Sequence, residues 1–219
     1  MLRYPCLILD HDDTTVNSTR AVNYPQFREA LAHFRPGMEV TEEEFFLYCF
    51  DPGFYTMCDT LLHYTPEEMK EHVAMWKAYH QVHHPQFFPG IPEIIRRQKE
   101  LGGYVCVVSH SEADVITAAY ERAGVPLPDL IFGAEYPPHQ RKPNPWPMEE
   151  IFRRLQVAPQ QCLMVDDMPH GRVMSQAVGV EFACAAWCGM LPQIEATMRN
   201  QCDYFFSTVA EFSDFLFKE

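Results

Sequence analysis

Positive charge is scarce in this chain. Of its 219 residues, 17 are lysine or arginine against 30 aspartate or glutamate, a formal net charge of −13 at pH 7. No basic run offsets the excess, which excludes a general affinity for nucleic acid or for an anionic membrane surface. Paired cysteines are missing as well. The eight present (Cys6, Cys49, Cys58, Cys106, Cys162, Cys184, Cys188, Cys202) are scattered, and no two form the C-x-x-C spacing of a zinc site. Most fall inside apolar stretches and read as reduced core residues. No apolar run reaches the 18 residues a membrane helix needs. The start, MLRYPCLILDHDD, has a short apolar stretch that ends in acids, without the h-region and cleavage site of a signal peptide. The expectation is a cytoplasmic protein, a monomer or weak homodimer, in which the sequon Asn17-Ser18-Thr19 is never glycosylated. Internal repeats and low-complexity tracts are also absent, and the length suits one domain or a core domain carrying an insertion.

What is present is a rhythm of short apolar runs: CLILD (6–10), YVCVVS (104–109), LIFGAEY (130–136), CLMVDD (162–167) and EFACAAW (181–187). Their hydrophobicity is continuous rather than alternating, as in strands covered on both faces. Helical patterns lie between the later four: EADVITAAYERAG closing on Gly124, PMEEIFRRLQV after Pro147, and GRVMSQAVG closing on Gly179. A βαβαβ alternation of this kind predicts an α/β fold with a Rossmann-like, doubly wound parallel sheet. The interval from residue 11 to residue 103 breaks the rhythm, being far longer than one crossover requires. NYPQFREALAHF, TEEEFFLYCF and PEEMKEHVAMWKAYHQVHH read there as helices, separated by RPGMEV and a DPG turn. The stretch ends at the hinge PQFFPGIP, after which EIIRRQKELGG supplies the ordinary crossover helix. The expected organisation is a core of residues 1–15 and 89–219 and an inserted α-helical cap of residues 16–88.

Ligands of open parallel sheets bind at the carboxyl ends of the strands. Asp10 and Asp12 follow the first strand, Ser109 the second, Lys142 the third at a short distance, and Asp166 with Asp167 the fourth. Each alone has an ordinary reading as a turn residue, a helix cap or a solvated charge. Their occurrence in order at four successive strand ends is much harder to obtain by accident. Several carboxylates packed together call for a cation, and hard oxygen ligands suit Mg2+. A lysine and a hydroxyl facing that cation suit a phosphoryl group, whose oxygens need positive charge and hydrogen-bond donors during transfer. A small-molecule phosphate ester is the expected partner.

These stretches carry a family resemblance. DHDDTTVNS resembles the D-x-D-G-T-[LV]-x-D-S motif of the haloacid dehalogenase superfamily of hydrolases, and VCVVSHS the second motif ending in Ser or Thr. RKPNP resembles the lysine motif K-P-x-P, and VDDMPHGRVMSQAVG the motif [GED]-D-S-x-x-G-x-x-A-A-x-x-A-G. CDYFFSTVAEFSDFL is similar to the final strand and helix. The position of the insertion matches the branch with a helical cap after the first strand, which is phosphoglycolate-phosphatase-like or β-phosphoglucomutase-like. The resemblance implies that Asp10 is a nucleophile forming an aspartyl-phosphate and that Asp12 is the general acid and base. It further implies that Mg2+ is held by Asp10, the Asp12 carbonyl and Asp167, with Asp166 acting directly or through water. Ser109 and Lys142 would grip the phosphoryl oxygens, with His110 also binding substrate. An acid at position 12 favours phosphate-ester hydrolysis over dehalogenation.

Val22 stands where the sugar phosphomutases have histidine, and Phe54 lies near the position of their cap arginine, so phosphomutase or phosphotransferase ranks second. A receiver-like signalling module is disfavoured by the order of the acids and by the insertion. Asp13, Thr15 and Asn17 depart from the motif. Asp13 replaces glycine but is among the residues that tolerate left-handed backbone; it reads first as an Asp bonding its own turn, and the sharper alternative is that its charge repels near the phosphate and narrows substrate choice. In FFLYCFDPGFYTMCDTLL most aromatics read as cap core, and the remainder point to a moderately apolar leaving group. His80, His83 and His84 read as a helix end without a metal.

Overall fold

The structure, a computed structural model, describes residues 2–218. Six strands form one sheet: β1 (Cys6–Leu9), β2 (Tyr104–Val108), β3 (Leu130–Phe132), β4 (Cys162–Asp166), β5 (Glu181–Ala185) and β6 (Tyr204–Phe206). Their order is β3-β2-β1-β4-β5-β6, and every neighbouring pair is parallel. The order reverses between β1 and β4, the switch point at which such sheets leave a crevice. The register sets Leu9 level with both Val107 and Val165, so β1, β2 and β4 end along a common edge.

The continuous hydrophobicity of the strands reflects burial on both faces. Leu7, Leu9, Val105, Val107, Leu163, Val165, Ala183 and Ala185 share one cluster with Ile91, Ile94 and Ile95 of helix Ile91–Glu100, Tyr120 of helix Ala113–Ala123 and Phe212 of helix Val209–Phe217. The alternate residues are buried as well. They include Cys6, Cys106, Cys162 and Cys184, compact side chains that behave as small hydrophobes. All eight cysteines are reduced, but Cys49, Cys188 and Cys202 are only half-buried, so the core assignment holds for five of them.

Described helices number ten: α1 (Tyr24–Phe34), α2 (Glu42–Phe50), α3 (Phe54–Thr60), α4 (Pro66–Val82), α5 (Ile91–Glu100), α6 (Ala113–Ala123), α7 (Trp146–Leu155), α8 (Pro169–Ala177), α9 (Pro192–Arg199) and α10 (Val209–Phe217). A five-residue π-helical turn, Thr19–Asn23, precedes α1. No described helix is long and apolar enough to cross a membrane. The starts of α2, α4 and α10 are fixed by capping boxes, Thr41 with Glu44, Thr65 with Glu68, and Thr208 with Glu211. The strand expected over 130–136 stops at Phe132, and Gly133 beyond it lies so close to the segment after β2 that a Cβ there would stand 2.5 Å from the Ser111 carbonyl oxygen.

The chain divides into two compact units, one formed by the residues up to Asn17 with those from Gln86 onward, the other being Ser18–Pro85. In the first, the two connecting segments are tied together: the Asn17 N–H donates to the Gln86 carbonyl at 2.9 Å, Gln86 N–H donates to Asn17 Oδ1 at 2.8 Å, and Phe88 N–H to the Thr15 carbonyl at 3.0 Å. The second unit packs Phe27, Leu31, Phe45, Met57, Cys58, Leu62 and Tyr64 into its own core, with Phe34, Tyr48 and Phe54 against it. Most aromatics around the DPG turn thus belong to the core of this unit, while Tyr55 is 65% exposed. Arg35 secures this unit by donating to the carbonyls of Leu62 (2.8 Å), Phe34 (2.7 Å) and His63 (2.6 Å) and to both carboxylate oxygens of Glu68. His80 lies against Trp76, and both reach Asn23 Oδ1 at 3.1 Å.

His72 of α4 sits inside that core, 2% exposed, between Phe54 and Tyr64, with its Nδ1 lacking a hydrogen-bond partner. Burial lowers its pKa to about 4. The unfolded chain takes up the proton near pH 6.5 and the folded unit resists it down to about 4. The contribution of this group is therefore complete above about pH 6.5 and is lost as pH falls toward 4, by at most about 3 kcal/mol. Urea unfolding of Ser18–Pro85 in the intact protein, followed by hydrogen exchange of the α4 amides, should show this loss between pH 7 and pH 4.5. His72→Leu should flatten it; parallel losses in both proteins would refute the assignment.

Candidate active site

The carboxyl ends of β1, β2 and β4 bring acids, hydroxyls and one lysine together. Asp10 follows β1 directly, and its N–H donates to the Val165 carbonyl at 2.8 Å, which locks it to the end of β4. Lys142 Nζ bridges Asp10 Oδ1 and Asp166 Oδ2, the latter at 2.9 Å, and all three side chains are buried. Burial alone would push the Lys142 pKa down, but Asp10 and Asp166 hold it above its ordinary value. A buried ammonium with two carboxylates is an ion-paired group, and the solvated surface charge that an isolated lysine usually makes is excluded.

Asp166 is fully committed. Its Oδ2 meets Lys142 and its Oδ1 accepts from Met168 N–H at 2.8 Å. The close approach of α8 depends on Gly171, where a Cβ would stand 2.3 Å from Asp166 Oδ2. Asp167 is oriented by Thr14, whose hydroxyl donates to Oδ1 at 3.3 Å and accepts from Asp167 N–H at 3.1 Å. Oxygens of Asp10, Asp166 and Asp167 all lie within 4.8 Å of one another. Burial, then repulsion from Asp166 and Asp12, drives the Asp10 carboxyl well above the usual carboxylate range against the pull of Lys142. Burial, then Asp166, Asp13 and Asp10, does the same to Asp167. One lysine does not balance this much carboxylate in a buried space. A hard divalent cation fits the donor set, because oxygen ligands at this spacing supply what Mg2+ takes and its charge reverses the cause of both shifts.

Asp12 points to a different neighbourhood. Its Oδ2 accepts from the hydroxyls of Ser109 (3.3 Å) and Ser111 (2.6 Å), and Ser111 N–H donates to Ser109 Oγ at 3.0 Å. Ser111, unlike Ser109, was not singled out by the sequence motif, though it lies two residues beyond the expected hydroxyl. Thr14 stands at the threonine of the D-x-D-G-T motif but was given no role there; like Ser111, it acts by orienting a neighbour. Asp13 adopts φ 54°, the left-handed geometry that its place in the motif demanded, and is buried beside the acids. Thr15 donates to the His11 carbonyl at 2.9 Å, so the departures at positions 15 and 17 both brace the loop. His110 follows Ser109 at the mouth of the site; it is exposed, with its ring against that of His170.

The curated pyrophosphatase PpaX of Halalkalibacterium halodurans is 21% identical over 184 residues, covering 83% of each chain. Among solved structures, a haloacid dehalogenase-like hydrolase from Bacteroides fragilis superposes with a TM-score of 0.80 at 19% identity, over 95% of this chain and 99% of that one. CbbY from Rhodobacter sphaeroides, in complex with phosphate, gives 0.75 at 17% identity, over 95% and 96%. The profile of the haloacid dehalogenase-like hydrolases matches residues 7–185, a span that begins in β1 and takes in every acid, serine and lysine of the site, and the chain belongs to that family.

Proposed function

We propose that this protein is a magnesium-dependent phosphatase that hydrolyses a small-molecule phosphomonoester through an aspartyl-phosphate on Asp10. The observation that carries the reading is the buried Lys142 bridge between Asp10 and Asp166, beside Asp167 and a serine-held Asp12. The likeness to a pyrophosphatase and to a phosphate-bound structure supports a phosphoryl substrate.

Asp10 would attack phosphorus with a carboxylate oxygen whose position is fixed by Lys142. Asp12, oriented by Ser109 and Ser111, would give its proton to the leaving oxygen. It would then take one from the water that cleaves the aspartyl-phosphate. Ser109 and Lys142 would hold the phosphoryl oxygens as charge develops. Asp10, Asp167 and the Asp12 carbonyl would hold Mg2+, with Asp166 behind them; when bound, the cation supplies positive charge that keeps Asp10 ionised and offsets the phosphoryl charge. Ser18–Pro85 would be the cap that selects the substrate.

The role of Asp12 has its own test. The constant kcat/KM reports formation of the aspartyl-phosphate, in which an alkyl alcohol needs a proton far more than p-nitrophenol does. Asp12→Asn should therefore lower kcat/KM for an alkyl phosphate about a hundredfold, and for p-nitrophenyl phosphate by clearly less. Equal losses on both would contradict the assignment.

A further inference from the structure

The proposed reaction gives a task to every acid of the site except Asp13. This residue is 6% exposed and stands in the left-handed region at φ 54°. Its N–H donates to the Val16 carbonyl at 2.8 Å, while the N–H groups of Thr15 and Val16 donate to the His11 carbonyl at 3.0 Å and 3.1 Å. The backbone itself therefore fixes the turn. Glycine or asparagine would serve that turn with no more strain, so its geometry does not call for a charge. A carboxylate buried here is costly, because it faces the like charge of Asp167 beside Asp10 and Asp166. Lys142 is already shared between Asp10 and Asp166.

The position of Asp13 determines which group feels that charge. Its chain neighbour Thr14 clasps Asp167, its hydroxyl donating to Oδ1 at 3.3 Å and accepting from the Asp167 N–H at 3.1 Å. Asp13 is one Cα step, about 3.8 Å, from that clasp. Among the causes that raise the Asp167 carboxyl, burial comes first and Asp166 second, and Asp13 precedes Asp10. Asp10 is itself close, with an oxygen within 4.8 Å of one on Asp167, so the field of Asp13 at Asp167 is that of a near neighbour. Yet Asp13 stands outside the three acids, Asp10, Asp166 and Asp167, whose oxygens converge among the described residues. Mg2+ gives up its water shell reluctantly, and a carboxylate just beyond its direct ligands still adds to its affinity. Building on the cation site of the phosphatase reading above, we infer that Asp13 is an outer anion of that site, tightening divalent-cation binding without being a direct ligand. The same charge that repels Asp167 in the cation-free protein attracts the cation. Asp13 therefore lowers the stability of the cation-free fold and raises the affinity for the ion.

The experiment titrates Mg2+ alone, without any phosphate, into the unaltered protein, Asp13→Asn and Asp13→Gly by calorimetry, and melts each protein in chelator. Both replacements tolerate left-handed backbone and both remove the charge, but only asparagine keeps the shape of the side chain. The Kd for Mg2+ should rise about tenfold or more in both variants. In chelator, the Tm of Asp13→Asn should equal or exceed that of the unaltered protein, because a repelling charge has gone. General damage to the fold would instead lower Tm and affinity together. An unchanged Kd in either variant, or a lower Tm of Asp13→Asn in chelator, overturns this inference while the phosphatase reading stands. An unchanged Kd with an altered KM for phosphate esters does the same and assigns the charge to the substrate. Failure of the unaltered protein to bind Mg2+ overturns the cation site on which both readings rest.

Discussion

Replacing Lys142 by methionine should unfold the protein at a lower temperature and slow hydrolysis together. Methionine matches the length of the side chain, so packing is nearly kept and the ammonium alone is removed. What remains is Asp10 and Asp166 buried with no counter-charge, beside Asp167. Breaking a buried ion pair from one side costs about 3–5 kcal/mol, which for a chain of this size lowers Tm by about 6–20 °C. The deficit should shrink as pH falls. Asp10 and Asp167 already have carboxyl pKa values raised above those of the unfolded chain, so the folded state takes up protons first and gains stability on acidification. Asp10→Asn combined with Lys142→Met should recover part of the lost Tm, because the orphaned charge is removed with its partner. Loss of a donor to the phosphoryl oxygens should lower kcat at least about a hundredfold. Calorimetric scans at several pH values, beside steady-state rates, check each part. Unchanged Tm and kcat would mean that Lys142 is an ordinary surface charge.

Much of this site was legible before any coordinates, and the reason is its dependence on strand ends. A parallel sheet delivers whatever follows each strand to one edge, so Asp10, Ser109 and Asp166 could be gathered from apolar runs alone. Lys142 was less legible from the strands alone, since nine residues (133–141) separate it from Phe132, and the lysine motif made it plain. Less visible were the groups that orient the others. Thr14 and Ser111 act through hydrogen bonds of 3.3 Å and 2.6 Å whose partners lie 153 and 99 residues away, and no local pattern encodes such a pairing.

Among the elements, α3 and α9 escaped the reading. The segment FYTMCDT spans only seven residues after Gly53 and lacks a capping side chain, so its helical state comes from burying Met57 and Cys58. In α9, Pro192 opens a helix whose N-cap, Leu191, offers no side-chain oxygen. The π-helical turn before α1 likewise has no side-chain cap to announce it. Tertiary packing decides such segments, and propensity does not.

Asp10→Asn addresses the chemistry itself. Asparagine keeps the shape of the side chain and leaves Lys142 its partner Asp166, so the fold should survive. The amide is a far poorer nucleophile than a carboxylate, and a cation site that loses one anionic ligand should bind Mg2+ less tightly. The decisive measurement is phosphate release from a broad panel of phosphate esters and pyrophosphate, with Mg2+ and with chelator, by the unaltered protein and by Asp10→Asn side by side. The account predicts turnover that requires Mg2+ and falls at least about a thousandfold in Asp10→Asn. Turnover independent of Mg2+, or an Asp10→Asn protein as active as the original, would contradict it.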